Sequence, residues 1–240
     1  EGKTVRNIPT ADLMEEQDKT QQLFENLLVK GALKQQVFRN TQQAFRLLKR
    51  EVLKVQEEYQ ARMSGKGEPI PVEATDRGEF EMELKFAGDI LLFLMHSNVF
   101  EIHRDHPIMR SSYLREDKSR SYCGIINIFN FLADSFRYNR MNDSGYLIGR
   151  VFVNKEMHFF IEGKREIGML YQHFPTAVVD AESIRNLVVS AMQYTIDFDL
   201  LTPPYDEVKE VTVREMRAAL DNMQIRTAKR MGFRFQADEA

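Results

Sequence analysis

The chain has 240 residues, 43% of them hydrophobic and 10% aromatic, and its 33 basic and 36 acidic side chains give a formal net charge of −3. This composition is typical of a chain that buries a substantial core, and the near balance of charge argues neither for nor against nucleic acid as a partner. The single cysteine excludes a disulfide within the chain. The longest apolar run, Ile90 to Met95, is far shorter than the roughly 20 residues of a membrane span. The first residues lack the apolar stretch of a secretory signal, so we expect a soluble, cytoplasmic protein with no membrane contact.

Residues 10–63 contain no proline and only one glycine, Gly31, which predicts one long helix or a helical hairpin broken at that glycine. Large apolar side chains follow a four-three spacing from Phe24 to Tyr59, and the spacing is most regular in its second part. That part consists of Phe38, Phe45, Leu48, Val52, Val55 and Tyr59. Two interpretations remain open: a helix that packs on its own domain, or a coiled coil through which two chains form a dimer.

Glycines and prolines are concentrated in residues 64–79, which predicts a linker. The chain is therefore divided into an N-terminal helical segment, 1–63, the linker, and an α+β domain, 80–240. Apolar and charged side chains alternate from Phe80 to Phe86, as in a strand with one buried face. Further strands are predicted at Ile90–Met95, Met109–Leu114, Tyr146–Val153 and Met157–Glu162, the last two as a hairpin.

Three helices are predicted to pack on this sheet. Apolar residues recur at helical spacing in segment 122–138, which predicts a buried helix. Segment 181–196 predicts an amphipathic helix with Asp180 as its N-cap, and segment 212–231 predicts a last helix. The expected fold class is thus α+β, with a long N-terminal helical segment followed by an antiparallel sheet with packed helices.

Few residues suggest chemistry. His103, Asp105 and His106 combine imidazole and carboxylate groups, which suit Zn²⁺ or acid–base catalysis, but the usual metal-ligand spacings are absent. Cys123 lies at the N-terminal end of the predicted helix 122–138, where a thiol would be activated, although a buried structural cysteine is the simpler interpretation. No nucleotide-binding loop, serine-hydrolase motif or zinc motif is present in the sequence. We therefore expect no cofactor and do not favour an enzyme.

Glu83 and Lys85, with Asp76 upstream, resemble the D…ExK pattern of metal-dependent nucleases. The resemblance covers those three residues alone, and ordinary alternation on the solvent face of a strand explains the same spacing. The pattern would imply a metal site shared by the two carboxylates.

The C-terminal stretch contains a basic set that could contact phosphates: Arg226, Lys229, Arg230 and Arg234. Three functions remain as hypotheses. The leading one is a binding or scaffolding protein that self-associates through its N-terminal helices, with a further protein as a second kind of partner. The alternatives are a nucleic-acid-associated factor that uses the basic stretch, and an enzyme centred on His103, Asp105 and His106.

Overall fold

The computed structural model is an α+β fold in which one long helix precedes a six-stranded antiparallel sheet, as the sequence predicts. The structure describes residues 10–68, 70–138, 143–164, 167–168, 170–198, 202, 204–214 and 216. Helix α1, Thr10–Met63, is a single helix of 54 residues rather than a hairpin. At 1.5 Å per residue it is about 80 Å long. Gly31 does not break it, because the segment contains no proline and good helix formers surround the glycine.

The sheet is a simple meander in which each strand pairs with the strand that precedes it in the chain. Its strands are β1 (Val72–Gly78), β2 (Glu81–Phe86), β3 (Asp89–Glu101), β4 (Tyr122–Leu132), β5 (Tyr146–Asn154) and β6 (Phe159–Gly163). The predicted alternating strand at β2, the central strand in β3 and the hairpin of β5 and β6 are confirmed. The predicted strand at Met109–Leu114 is wrong, because this segment forms a 3-10 turn and a short helix.

Further helices connect or follow the strands: α2 (Ser112–Glu116), α3 (Ala133–Arg137), α4 (Ala181–Ile196) and α5 (Tyr205–Val208). Helix α4 confirms the prediction for its segment. The Asp180 carboxylate accepts a hydrogen bond from the backbone N–H of Ser183 at 2.7 Å and caps the helix. Most of the predicted helix 212–231 lies outside the described residues.

The main core lies between one face of the sheet and the helices α1 and α4. Phe45, Leu48 and Val52 of α1 are almost fully buried there. The helix approaches β4 so closely that a Cβ atom at Gly124 would lie 2.0 Å from the Thr41 Oγ1. The Asn40 side chain donates hydrogen bonds to the carbonyls of Asn154, at 3.0 Å, and Lys155, at 2.7 Å. Apolar burial and these polar contacts together fix the second half of α1 on the sheet.

A smaller core covers the end of the opposite sheet face. Its buried members are Ile102, Tyr113, Leu114, Cys123, Ile125, Phe152, Phe160 and Phe174. Strand alternation explains the division, since Ile125 belongs to this core and its neighbour Ile126 belongs to the main core. The connection between β3 and β4 folds over this face through the 3-10 turn Pro107–Arg110 and α2.

Two further predictions are wrong. Segment 122–138 is not a buried helix, because its first part is the central strand β4 and only Ala133–Arg137 is helical. Both faces of β4 meet a core, so apolar residues occupy both faces and hide the two-residue period. The predicted linker 64–79 contains the edge strand β1. The second half of α1 shares its core with the sheet, so the helical segment and the α+β domain are not separate bodies there.

Candidate interaction surface

The first half of α1 extends beyond the sheet. Every residue from Lys19 to Lys30 is exposed, and the first fully buried side chain of the described part of the helix is Val37. We call residues 10–36 the projecting half of α1 and residues 37–63 the docked half. An isolated helix of this length is only marginally stable in water, because most helical stability in proteins comes from packing. The projecting half therefore lacks the packing that stabilises the docked half.

Four large apolar side chains share one face of the projecting half. Leu23, Phe24, Leu27 and Leu28 are exposed by 62%, 53%, 66% and 71% of their surfaces. Their spacing places them side by side over two turns, and we call them the apolar stripe. Val29 is 70% exposed but lies on the opposite side of the helix. A contiguous exposed apolar patch of this kind marks an interaction surface more often than scattered single side chains do.

The residues that the sequence predicted for self-association lie in the docked half. Phe45, Leu48 and Val52 are in the main core, and Phe38, Val55 and Tyr59 pack against it. The heptad spacing correctly predicted that these side chains share one face of the helix. This face packs on the sheet of the same chain. Phe24 and Leu27 continue the same spacing into the projecting half, so the signal for the apolar stripe was present in the sequence.

A cleft lies where the projecting half meets the sheet. Its volume is about 620 Å³, and Lys34, Gln35, Phe38, Arg39, Ser97, Asn98, Val99 and Phe100 line it. We call it the basic cleft. The pairing of β3 with β4 shifts register between Met95 and Val99, so the strand bulges at this place and opens the cleft. Phe24, Gly31 and Phe38 are each seven residues apart, and the apolar stripe therefore leads along one face of α1 into the cleft.

Two cations of the basic cleft are available to an acidic partner. Arg39 donates a hydrogen bond to the Gln36 Oε1 at 3.0 Å. Within the part of the chain that the structure describes, neither Lys34 nor Arg39 pairs with a carboxylate. Phe38, Val99 and Phe100 supply apolar surface beside these charges. The cleft thus combines positive charge with an apolar wall.

A second cavity, of about 850 Å³, opens on the opposite face of the sheet beside β2 and α3. Its charged lining residues are Arg77, Glu83, Lys85, Asp89, Asp134 and Arg137, and two ion pairs involve three of them. The Arg77 Nη2 lies 2.9 Å from the Glu83 Oε2, and the Lys85 Nζ lies 3.0 Å from the Glu73 Oε2.

The nuclease-like residues do not converge. Asp76 lies on the face of the sheet that packs on α1, where the Lys49 Nζ is 2.6 Å from its Oδ1. This hydrogen bond, together with one from the Gly78 N–H, holds the pKa of Asp76 below its usual range. Glu83 and Lys85 point to the other face. The sheet therefore separates the two carboxylates that a shared metal would need, and the resemblance is not supported.

The histidine candidates lie in the connection after β3. His103 and Asp105 are both largely exposed, with 3.5 Å between the His103 Nδ1 and the Asp105 Oδ2. The His106 Nε2 lies 2.8 Å from the Glu162 Oε1, so its ring meets a different carboxylate. Among the described residues, no group of three or more histidine, cysteine or acidic side chains is arranged to hold a metal ion.

Cys123 is fully buried in the smaller core and lies on β4 rather than at a helix N-terminus. Burial raises the pKa of its thiol well above the usual value, which suits a structural residue.

Nearby, the Tyr113 hydroxyl donates a hydrogen bond to the Glu156 carboxylate at 2.6 Å and accepts one from the Asn154 side chain at 2.9 Å. Burial also raises the pKa of Tyr113, so its side chain is a neutral phenol. Its two hydrogen bonds connect the β3–β4 connection to the β5–β6 turn.

No family model matches this chain, and no curated protein or solved structure does either. The basic residues Arg226, Lys229, Arg230 and Arg234 lie outside the described residues. Over the described part of the chain, no helix is both long and apolar enough to cross a membrane. Within the described part of the chain, the projecting half of α1 carries an exposed apolar surface that a partner could cover.

Proposed function

We propose that this protein is a non-enzymatic scaffolding protein that self-associates through the projecting half of α1. The observation that carries the proposal is the apolar stripe, which lies on a helix beyond the reach of its own sheet. Exposed apolar side chains on a regular helix are an interface that a second helix can cover. Each chain presents the same stripe, so two copies can pair about a twofold axis.

The charges of the chain favour a second copy of the same chain as the partner that covers the apolar stripe. Residues 10–18 of α1 contain four acidic residues and no basic residue. The basic cleft at the other end of the projecting half contains Lys34 and Arg39 without carboxylate partners among the described residues. One chain thus carries both halves of a complementary pair, and electrostatic complementarity selects partners at an interface.

The expected affinity is modest. Full burial of a Leu or Phe side chain contributes about 1.5–3 kcal/mol, and two stripes of four bring eight such side chains together. If half of this surface is buried, the gain is roughly 6–12 kcal/mol, comparable with the about 4–15 kcal/mol that association costs. We therefore expect a dimer whose population depends on protein concentration.

Light scattering after size-exclusion chromatography, over a range of concentrations, tests the proposal. Leu27→Asp places a charge in the apolar stripe and should convert the dimer to a monomer. Val29→Asp makes the same change at an equally exposed position on the other side of the helix, and should leave the dimer intact. A wild-type monomer at every concentration, or equal loss of dimer in both variants, would overturn the proposal. Circular dichroism checks that both variants remain folded.

A further inference from the structure

We infer that the two chains pair in antiparallel orientation, with the first turns of α1 from one chain lying in the basic cleft of the other. This inference rests on the proposed self-association and specifies its geometry. It assigns a ligand to the basic cleft, namely an acidic helical segment.

The projecting half has an acidic end and a basic end. Its first ten positions contain Asp12, Glu15, Glu16, Asp18 and Lys19, a net charge of −3. Glu16 lies seven residues before Leu23 and shares the face of the apolar stripe, whereas Glu15 shares the heptad position of Val29 on the opposite side. Lys30 and Lys34 occur near its base, and Arg39 follows at the start of the docked half. Glu25, in the middle, accepts a hydrogen bond from Gln21 of its own helix at 3.0 Å. The charge is thus segregated along the helix, and segregated charge fixes the orientation of paired helices.

The apolar stripe sets the register. Its midpoint lies between Glu25 and Asn26, so a twofold axis through the stripe passes there. In an antiparallel pair, residues 12–18 of one chain then lie opposite residues 33–39 of the other. The latter range contains the helical wall of the basic cleft. In a parallel pair, the acidic segments of the two chains would instead face each other, and so would the basic ends.

The position of the cleft agrees with this register. A helix that follows the apolar stripe of its partner continues over Gly31 and reaches Phe38, because these residues occupy the same heptad position as Phe24. Gly31 has no side chain and allows close approach of the two backbones; a Cβ atom built there would meet nothing within 4 Å. The bulge of β3 supplies the opposite wall of the cleft at Ser97–Phe100.

Charge reversal tests the orientation by sedimentation equilibrium at about 0.1 M ionic strength, where the screening length is about 10 Å. One variant combines Asp12→Lys with Glu16→Lys, at or beside the face of the apolar stripe, and another combines Lys34→Glu with Arg39→Glu. Each should weaken the dimer about tenfold, because each places like charges at both symmetry-related contacts. The variant that carries all four changes should have a dimer dissociation constant within about threefold of that of the wild type, because the acidic and basic ends have exchanged their charges.

The matched control combines Arg46→Glu with Arg50→Glu, two exposed cations of α1 away from the cleft, and should leave dimerisation unchanged. If Leu27→Asp abolishes a wild-type dimer but both charge-reversed variants match the control, the antiparallel inference is wrong and self-association stands. A parallel pair gives this result, because reversal at one end still leaves like charges facing each other. If the wild type is a monomer, the proposed function fails and the inference fails with it.

Discussion

The two halves of α1 share one sequence pattern and differ in what covers it. In the docked half, Phe45 and Val52 are buried by the sheet of the same chain. In the projecting half, Phe24 has the same heptad position and more than half of its surface is exposed. The comparison shows that heptad spacing identifies a face that needs a partner, but it does not identify the partner. The partner of the docked half is the sheet of the same chain, and we propose that the partner of the projecting half is a second chain.

The sharpest contrast is between Phe45→Ala and Phe24→Ala. The first change empties a fully packed site and should lower the free energy of unfolding by about 3–5 kcal/mol. The second removes an exposed ring and should change the stability of the monomer by about 0.5 kcal/mol or less. Urea denaturation at a concentration where the chain is monomeric measures both. Equal losses of stability would contradict the division of α1 into two halves.

The polar contacts of the docked half provide a second test. Asn40→Ala removes the donor to two backbone carbonyls of the β5–β6 turn and should cost about 1–3 kcal/mol of stability. Gln43→Ala, at an exposed position one turn further along the same helix, serves as the control and should be nearly neutral. If the two variants unfold at the same urea concentration, the Asn40 side chain does not hold the turn to the helix.

The smallest expected effect concerns the ion pair between Lys49 of the docked half and Asp76 of β1. The pKa of Asp76 is lowered in the folded chain, so its contribution to stability is present above the unfolded pKa and is lost as pH falls through the folded pKa. Because Asp76 is about half exposed, the expected contribution is only about 0.2–1 kcal/mol. Asp76→Asn should therefore be less stable than wild type at pH 7 and equal to it in strong acid. A difference that persists unchanged at the acid limit would rule out this ion pair as its cause.

The sequence predicted the elements whose pattern arises from local contacts. Helix α4 was identified because Asp180 caps it and one face is apolar, and the hairpin of β5 and β6 was identified by its polar turn. Strand β4 was mistaken for a helix, because a central strand that is buried on both faces loses its alternation. Strand β1 was mistaken for a linker, because an edge strand rich in polar residues resembles a loop.

The candidate surface was only partly predictable. The four-three spacing located the helix face, but burial by the chain's own sheet removed Phe45, Leu48 and Val52 from the set of accessible residues. The basic cleft could not be read from the sequence, since α1 and β3 meet there across more than fifty residues of chain. The sequence also could not show that Asp76 and Glu83 lie on opposite faces of the sheet, or that His106 meets Glu162 and not Asp105. These positions depend on how distant segments pair, which alternation along one strand does not reveal.

Hydrogen–deuterium exchange of α1 as a function of protein concentration tests the central claim most directly. The docked half should be protected at every concentration, because its contacts lie within one chain. Residues 19–30 should exchange rapidly in dilute solution and become protected as concentration rises, while Leu27→Asp should abolish that rise. Exchange of residues 19–30 that does not depend on concentration would contradict the claim that a second chain covers the projecting half.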